Sequence, residues 1–165
     1  MENEDYRIIT LHDNKLKVYR DGIIQRKFVY KYGTRDGKYK KGDIKWVEIG
    51  SLHKSSGYYR IKLNKKFYLI HRVMGYAFLG LDIDNPTQII DHIDRNKTNN
   101  NVVNLRIVTK QQNEWNNEAK GYWKKKNKYQ ALIKVSRKKI YLGTYKTEAC
   151  ARYAYLTAKS HYHQF

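Results

Sequence analysis

Branched and aromatic residues alternate with polar ones from Tyr6 to about Gly50, in YRIITLHDNKLKVYRDGIIQRKFVYKYGTRDGKYKKGDIKWVEI. That period of two predicts strands half-buried on one face, and Asp21-Gly22 and Asp36-Gly37 are hairpin-type turns between them. The pattern sharpens after Ser55. SGYYRIKLNKKFYLIHR predicts two strands about an Asn64-Lys65 turn, and HRVMGYAFLG is a short helical run. Ile89 and Ile90 enter a further strand, TNNN forms a loop, and NLRIVT forms another strand. Thr109 then opens a helix, with Gln112 three residues on as the reciprocal half of a capping box. Beyond about Gly121, YQALIKV and KKIYLGTY are strands joined by a basic turn. Thr147 caps a last helix in which Ala151, Ala154, Tyr155 and Ala158 share an apolar face. Cys150 falls within this helix and reads as a small buried side chain.

Charge changes the picture most. The 165 residues hold 34 Lys and Arg against 15 Asp and Glu, a net charge of +19. Such an excess draws in polyanions, nucleic acid first and an anionic membrane surface second. From Ala119 onward twelve basic residues face one acid, Glu148, so the charge balance shifts near Lys120. The longest apolar run, Val73 to Leu81, is interrupted by two glycines and falls short of the ~20 residues of a membrane span. MENEDY lacks the basic start and apolar core of a secretion signal. The single Cys150 leaves no internal disulfide and no multi-cysteine zinc site. An intracellular protein acting at nucleic acid, neither secreted nor in a membrane, is the expectation.

The stretch IIDHIDRNKTNNNVVNLRIVTKQQNEWNN places Asp91 beside His92 and an amide at Asn113 on the following helix. Hydrolysis of a phosphodiester needs a water, a base for its proton and positive charge at the leaving oxygen. A neutral imidazole suits the base, with an ordinary pKa of about 6.5. Carboxylate and amide oxygens suit a hard divalent cation. Neighbours in a regular strand point to opposite faces, so Asp91 and His92 must sit where the strand ends or bends. Asn99 to Asn101 read as a solvated loop or as phosphate contacts, His71 as a packing residue or a substrate contact, and His161 and His163 as surface residues.

DHIDRNKTNN followed by NLRIVTKQQNEWN resembles the HNH endonucleases, in the form found in homing enzymes of phage and large DNA viruses. The resemblance starts near SGYYRIKL, includes His71-Arg72 and ends near Asn117. It implies a ββα-metal (His-Me) finger in which His92 is the general base. Asp91 and Asn113 hold magnesium or manganese, and Asn104, the central N of the motif, fixes the loop that holds the histidine. Asparagine rather than histidine at 113 implies a hard, oxygen-ligated metal over zinc. The last unit, YQALIKVSRKKIYLGTYKTEACARYAYLTAK, resembles the plant Apetala-type (ethylene-response-factor) DNA-binding domain, three strands packed on a helix. That resemblance implies duplex DNA contacts from Trp123, Lys125, Lys134, Lys139 and Tyr141. Lysine lacks the guanidinium fork of that family's arginines, so contacts to the DNA backbone are expected ahead of base readout.

The expected fold class is α+β: a β-rich region over 1–54, a small ββα-metal finger over 55–118 and a sheet-plus-helix DNA-binding module over 119–165. The expected activity is metal-dependent endonucleolytic cleavage of double-stranded DNA, one active site per chain nicking one strand, with a monomer favoured. Two rivals share the basic surface: a DNA-binding regulator on an inert HNH scaffold, and a single-strand or RNA binder using the sixteen tyrosines as stacking surfaces.

Overall fold

The computed structural model describes residues 5–136 and 138–164. The chain forms two compact units, one ending at Ile107 and one beginning at Val108. Both mix small antiparallel sheets with few helices, in keeping with the α+β pattern read from the sequence.

In the first unit, strands β1 (Tyr6–Leu11), β2 (Asn14–Tyr19), β3 (Ile24–Val29) and β4 (Ile44–Glu48) form one antiparallel sheet in chain order. Asp21-Gly22 turns β2 into β3, with Tyr19 N–H donating to Ile23 O at 2.9 Å. Asp36-Gly37 lies in the longer connection between β3 and β4, where Asp36 Oδ1 accepts from Lys38 N–H at 3.1 Å. A second sheet joins β5 (Ser51–His53), β6 (Tyr58–Leu63) and β7 (Lys66–Leu69). The predicted helical run is α1 (Ile70–Met74), which widens into a π-helical turn over Gly75–Leu79. Arg72 on α1 fixes the following loop by donating to the carbonyls of Gln88 (2.7 Å), Ile83 (2.9 Å) and Asn85 (2.9 Å).

Strands β8 (Ile89–His92) and β9 (Leu105–Val108) form a two-stranded sheet, joined by the asparagine loop and a 3-10 turn over Val102–Asn104. A single apolar core unites the unit: Leu16, Val18 and Ile24 of the first sheet pack with Ile61, Leu63, Val73, Met74, Ile90 and Leu105. Full burial of each such side chain stabilises by about 1.5–3 kcal/mol.

In the second unit, α2 (Lys110–Trp115) begins with the expected capping box, Thr109 accepting from Gln112 N–H while Gln112 Oε1 accepts from Thr109 N–H. Strands β10 (Tyr122–Lys125), β11 (Lys128–Val135) and β12 (Lys138–Tyr145) form an antiparallel sheet, and α3 (Glu148–Tyr162) packs on it. Thr147 caps α3 by accepting from Cys150 N–H at 3.2 Å. Ala151, Tyr155 and Ala158 are buried as the period of the helix predicts. Cys150 is exposed, contrary to expectation. One residue along a helix is a rotation of about 100°, which carries position 150 off the face that Ala151 buries.

Gly121 holds φ +75°, and a Cβ there would lie 1.9 Å from the Tyr155 ring. Gly37 shares the positive φ, +69°, but faces open space. We expect Gly37→Ala to cost about 1 kcal/mol from backbone strain alone, and Gly121→Ala about 2–4 kcal/mol from strain plus overpacking. Urea unfolding of the two variants measures the difference.

Candidate active site

Strand β8 ends at His92, and Arg95 N–H donates to His92 O at 2.9 Å, turning the chain immediately afterwards. The strand end required for Asp91 and His92 is therefore present. Both are buried, at 6% and 5% exposure. Asp91 Oδ2 accepts from Arg106 Nε and Nη2 at 2.9 and 2.8 Å, so a carboxylate withdrawn from water is compensated by a guanidinium on β9.

His92 sits among rings and an amide. The His71 ring meets it edge-on at 5.1 Å, and Tyr58 lies 5.0 Å from His71 and 6.0 Å from His92. His92 Nε2 is 3.3 Å from Asn100 Oδ1. An amide oxygen only accepts, so this contact takes an Nε2–H from the ring, and in the neutral form the basic lone pair is then on Nδ1. Burial pushes the His92 pKa below its ordinary value, with Asn100, Asp94 and Asp91 opposing that shift and Lys97 adding to it. His71 is buried, its Nδ1 has no hydrogen-bond partner, and burial, then the charges of His92 and Arg72, lower its pKa to about 3.

Asn104 organises the loop between the strands. Its Oδ1 accepts from Asp94 N–H at 3.0 Å, and its Nδ2 donates to Asp94 Oδ1 and Asn99 O, both at 2.9 Å. Asn99 donates to Asp94 Oδ2 at 2.7 Å, and Asn101 caps the 3-10 turn by accepting from Val103 N–H. The Asn99 bond first, then the Asn104 bond, holds the Asp94 carboxyl below its usual range.

The asparagine run is thus internally bonded, not a merely solvated loop. Asn100 is only 6% exposed, because the β2–β3 turn covers it. Gly22 approaches so closely that a Cβ would lie 2.7 Å from Asn100 Cβ, and Arg20 O accepts from Val102 N–H at 2.8 Å. Nothing local in the sequence distinguishes Asn100 from its neighbours. Its burial comes from a turn nearly eighty residues earlier.

Asn113 lies exposed on α2 in the second unit. Among the described residues no group of three His, Cys, Asp or Glu side chains is arranged to hold a metal ion. In the same unit Trp123, Lys125, Lys134, Lys139 and Tyr141 share the sheet face opposite α3. Ala131 and Ile133 are buried toward the helix, Tyr122 hydrogen-bonds Glu148 of α3, and the alternate positions point away. Lys134 and Lys139 are direct cross-strand partners, and Tyr141 is 59% exposed. His163 departs from expectation: its ring stacks on Trp115 at 4.7 Å and its Nε2 bonds Lys134 O at 3.1 Å, so it is half-buried. Position 163 follows the last turn of α3, where helical periodicity carries no information.

Residues 68–115 match the HNH endonuclease family model. The matched segment contains His71, Asp91, His92, Asn104 and Asn113. No curated protein matches the chain. A solved structure described as "DNA binding and cleavage by the HNH homing endonuclease I-HmuI" aligns over 88% of this chain and 80% of that one, at 21% identity and a TM-score of 0.45. Among the described residues no helix is long and apolar enough to cross a membrane.

The lowered His71 pKa has a definite sign. The unfolded chain protonates this imidazole near pH 6.5 and the folded chain only near 3, so the unfolded state binds the extra proton first as pH falls. Stability is accordingly expected to drop between pH 6.5 and 3, by up to about 1.4 kcal/mol per pH unit from this group. His71→Phe, which keeps a ring against Tyr58 and His92, should flatten that slope in urea titrations between about pH 7 and 5.

Proposed function

We propose that this protein is a metal-dependent DNA endonuclease of the homing HNH type, with a nuclease core within residues 55–118 and an Apetala-like DNA-binding module over 119–165. The observation that carries the reading is the buried Asp91-His92 pair at the end of β8, inside the segment that matches the HNH family.

In this reading His92 takes a proton from water through Nδ1 as the water oxygen attacks phosphorus. The bond to the 3′ oxygen breaks opposite the incoming oxygen. The low pKa of His92 keeps the ring neutral and able to accept that proton near neutral pH. Asn100 and His71 hold the ring, and Asn104 positions the chain that follows it.

HNH nucleases generally use a divalent metal ion, which when bound supplies positive charge at the departing oxygen. By motif position, Asp91 would offer a carboxylate and Asn113 an amide oxygen, the kinds of donor that a hard ion takes alongside water and phosphate. Magnesium or manganese suits such a set. The open face of the second unit's sheet, with Trp123, Lys125, Lys134, Lys139 and Tyr141, binds the duplex mainly through phosphates. One base and one ion per chain make a monomer that nicks one strand.

The test is cleavage of a supercoiled plasmid carrying the DNA around the protein's own coding locus, with magnesium, manganese or EDTA. Metal-dependent nicking should vanish in His92→Ala while DNA affinity stays within about 1 kcal/mol, because a base acts on the transition state. Tight binding with no cutting in either metal would favour the inert-scaffold alternative. Replacing Lys134 and Lys139 with Ala should weaken binding and flatten its salt dependence by about one unit of slope for each phosphate the sheet no longer neutralises. An unchanged slope would remove this sheet from the interface.

A further inference from the structure

The Asp91–Arg106 pair does more than neutralise a buried charge. Two of the three guanidinium nitrogens, Nε and Nη2, converge on one oxygen, Oδ2, at 2.9 and 2.8 Å. The Asp91 side chain is 7% exposed and that of Arg106 25%, so the carboxylate is fixed inside while the arginine reaches the surface. A carboxylate this deep needs a positive partner, and the fork supplies one. A divalent cation on the same carboxylate would meet the guanidinium charge at close range, where repulsion in a partly desolvated site is strong.

We infer that Arg106 is a positioning residue that serves as the internal counter-ion of Asp91. It holds the carboxylate in place in the metal-free protein and competes with the divalent cation for it. The inference rests on the proposed reading of Asp91 as a metal ligand. Its consequence is that Arg106 sets a ceiling on metal affinity. The site is stable without metal and takes the ion weakly, so that the phosphate of bound DNA becomes a needed part of the coordination shell.

The test is manganese binding to the full chain by calorimetry, alongside thermal unfolding with and without the ion, for wild type, Arg106→Gln, Asp91→Asn and the double variant. Arg106→Gln is expected to melt lower without metal, to bind manganese about 10-fold or more tightly, and to gain more in Tm on adding it. In the Asp91→Asn background the same replacement should change affinity less than about 2-fold, since the shared carboxylate is gone. Equal or weaker manganese binding by Arg106→Gln overturns the inference. If Asp91→Asn alone leaves manganese affinity unchanged, Asp91 is no ligand, and the proposed metal site falls with it. Should Arg106→Gln fail to fold, Arg106→Met keeps the aliphatic length without the charge and is expected to bind more tightly than wild type. Wild-type affinity there would overturn the inference equally.

Discussion

Three hydrogen bonds from one side chain, Asn104, fix the path of the chain after His92. At about 0.5–1.5 kcal/mol each they are a sizeable share of a domain's stability of roughly 5–15 kcal/mol. What they hold is larger than the loop itself. With Asp94 and Asn99 clasped, Asn100 is delivered to His92, and Val102 is delivered to the carbonyl of Arg20. The first sheet closes over the loop through Gly22, so the β-rich region before residue 50 shares a core with the candidate site and covers its key amide.

The electrostatics divide sharply between surface and centre. Outside, a charge of +19 makes a field suited to a polyanion. Inside, His71 and His92 are held toward the neutral form by burial, and Asp91 is matched by Arg106. In the proposed reading, a neutral imidazole beside a compensated carboxylate would accept a proton without having added net charge to a low-dielectric interior beforehand. The basic lysines act at long range and the buried groups at short range, and the two sets do not overlap in residues.

What could be read from the chain follows the reach of each interaction. Caps at Thr109 and Thr147, the Asn64-Lys65 turn and the alternation of β11 and β12 are local, and all appear where the pattern places them. The β1–β2 turn at His12-Asp13 was not legible. Both residues take positive φ without a glycine, and the turn is held by Asn14 and Asn64, each donating to His12 O. The burial of Asn100, the fork of Arg106 and the Trp115–His163 stack are likewise tertiary. Each depends on a partner whose placement no local period reveals. Asp91 and His92 stood out because motif spacing marked them, whereas their holders look like ordinary polar residues.

If His92 is a neutral, oriented base, nitrogen-15 NMR of the histidine rings in the intact chain shows it most directly. The expected spectrum has a neutral His92 with its proton on Nε2 at about pH 7, persisting below about pH 6.5, with that tautomer preference removed in Asn100→Ala. A His92 ring that carries its proton on Nδ1, or that is already charged near neutral pH, would contradict the role given to it here.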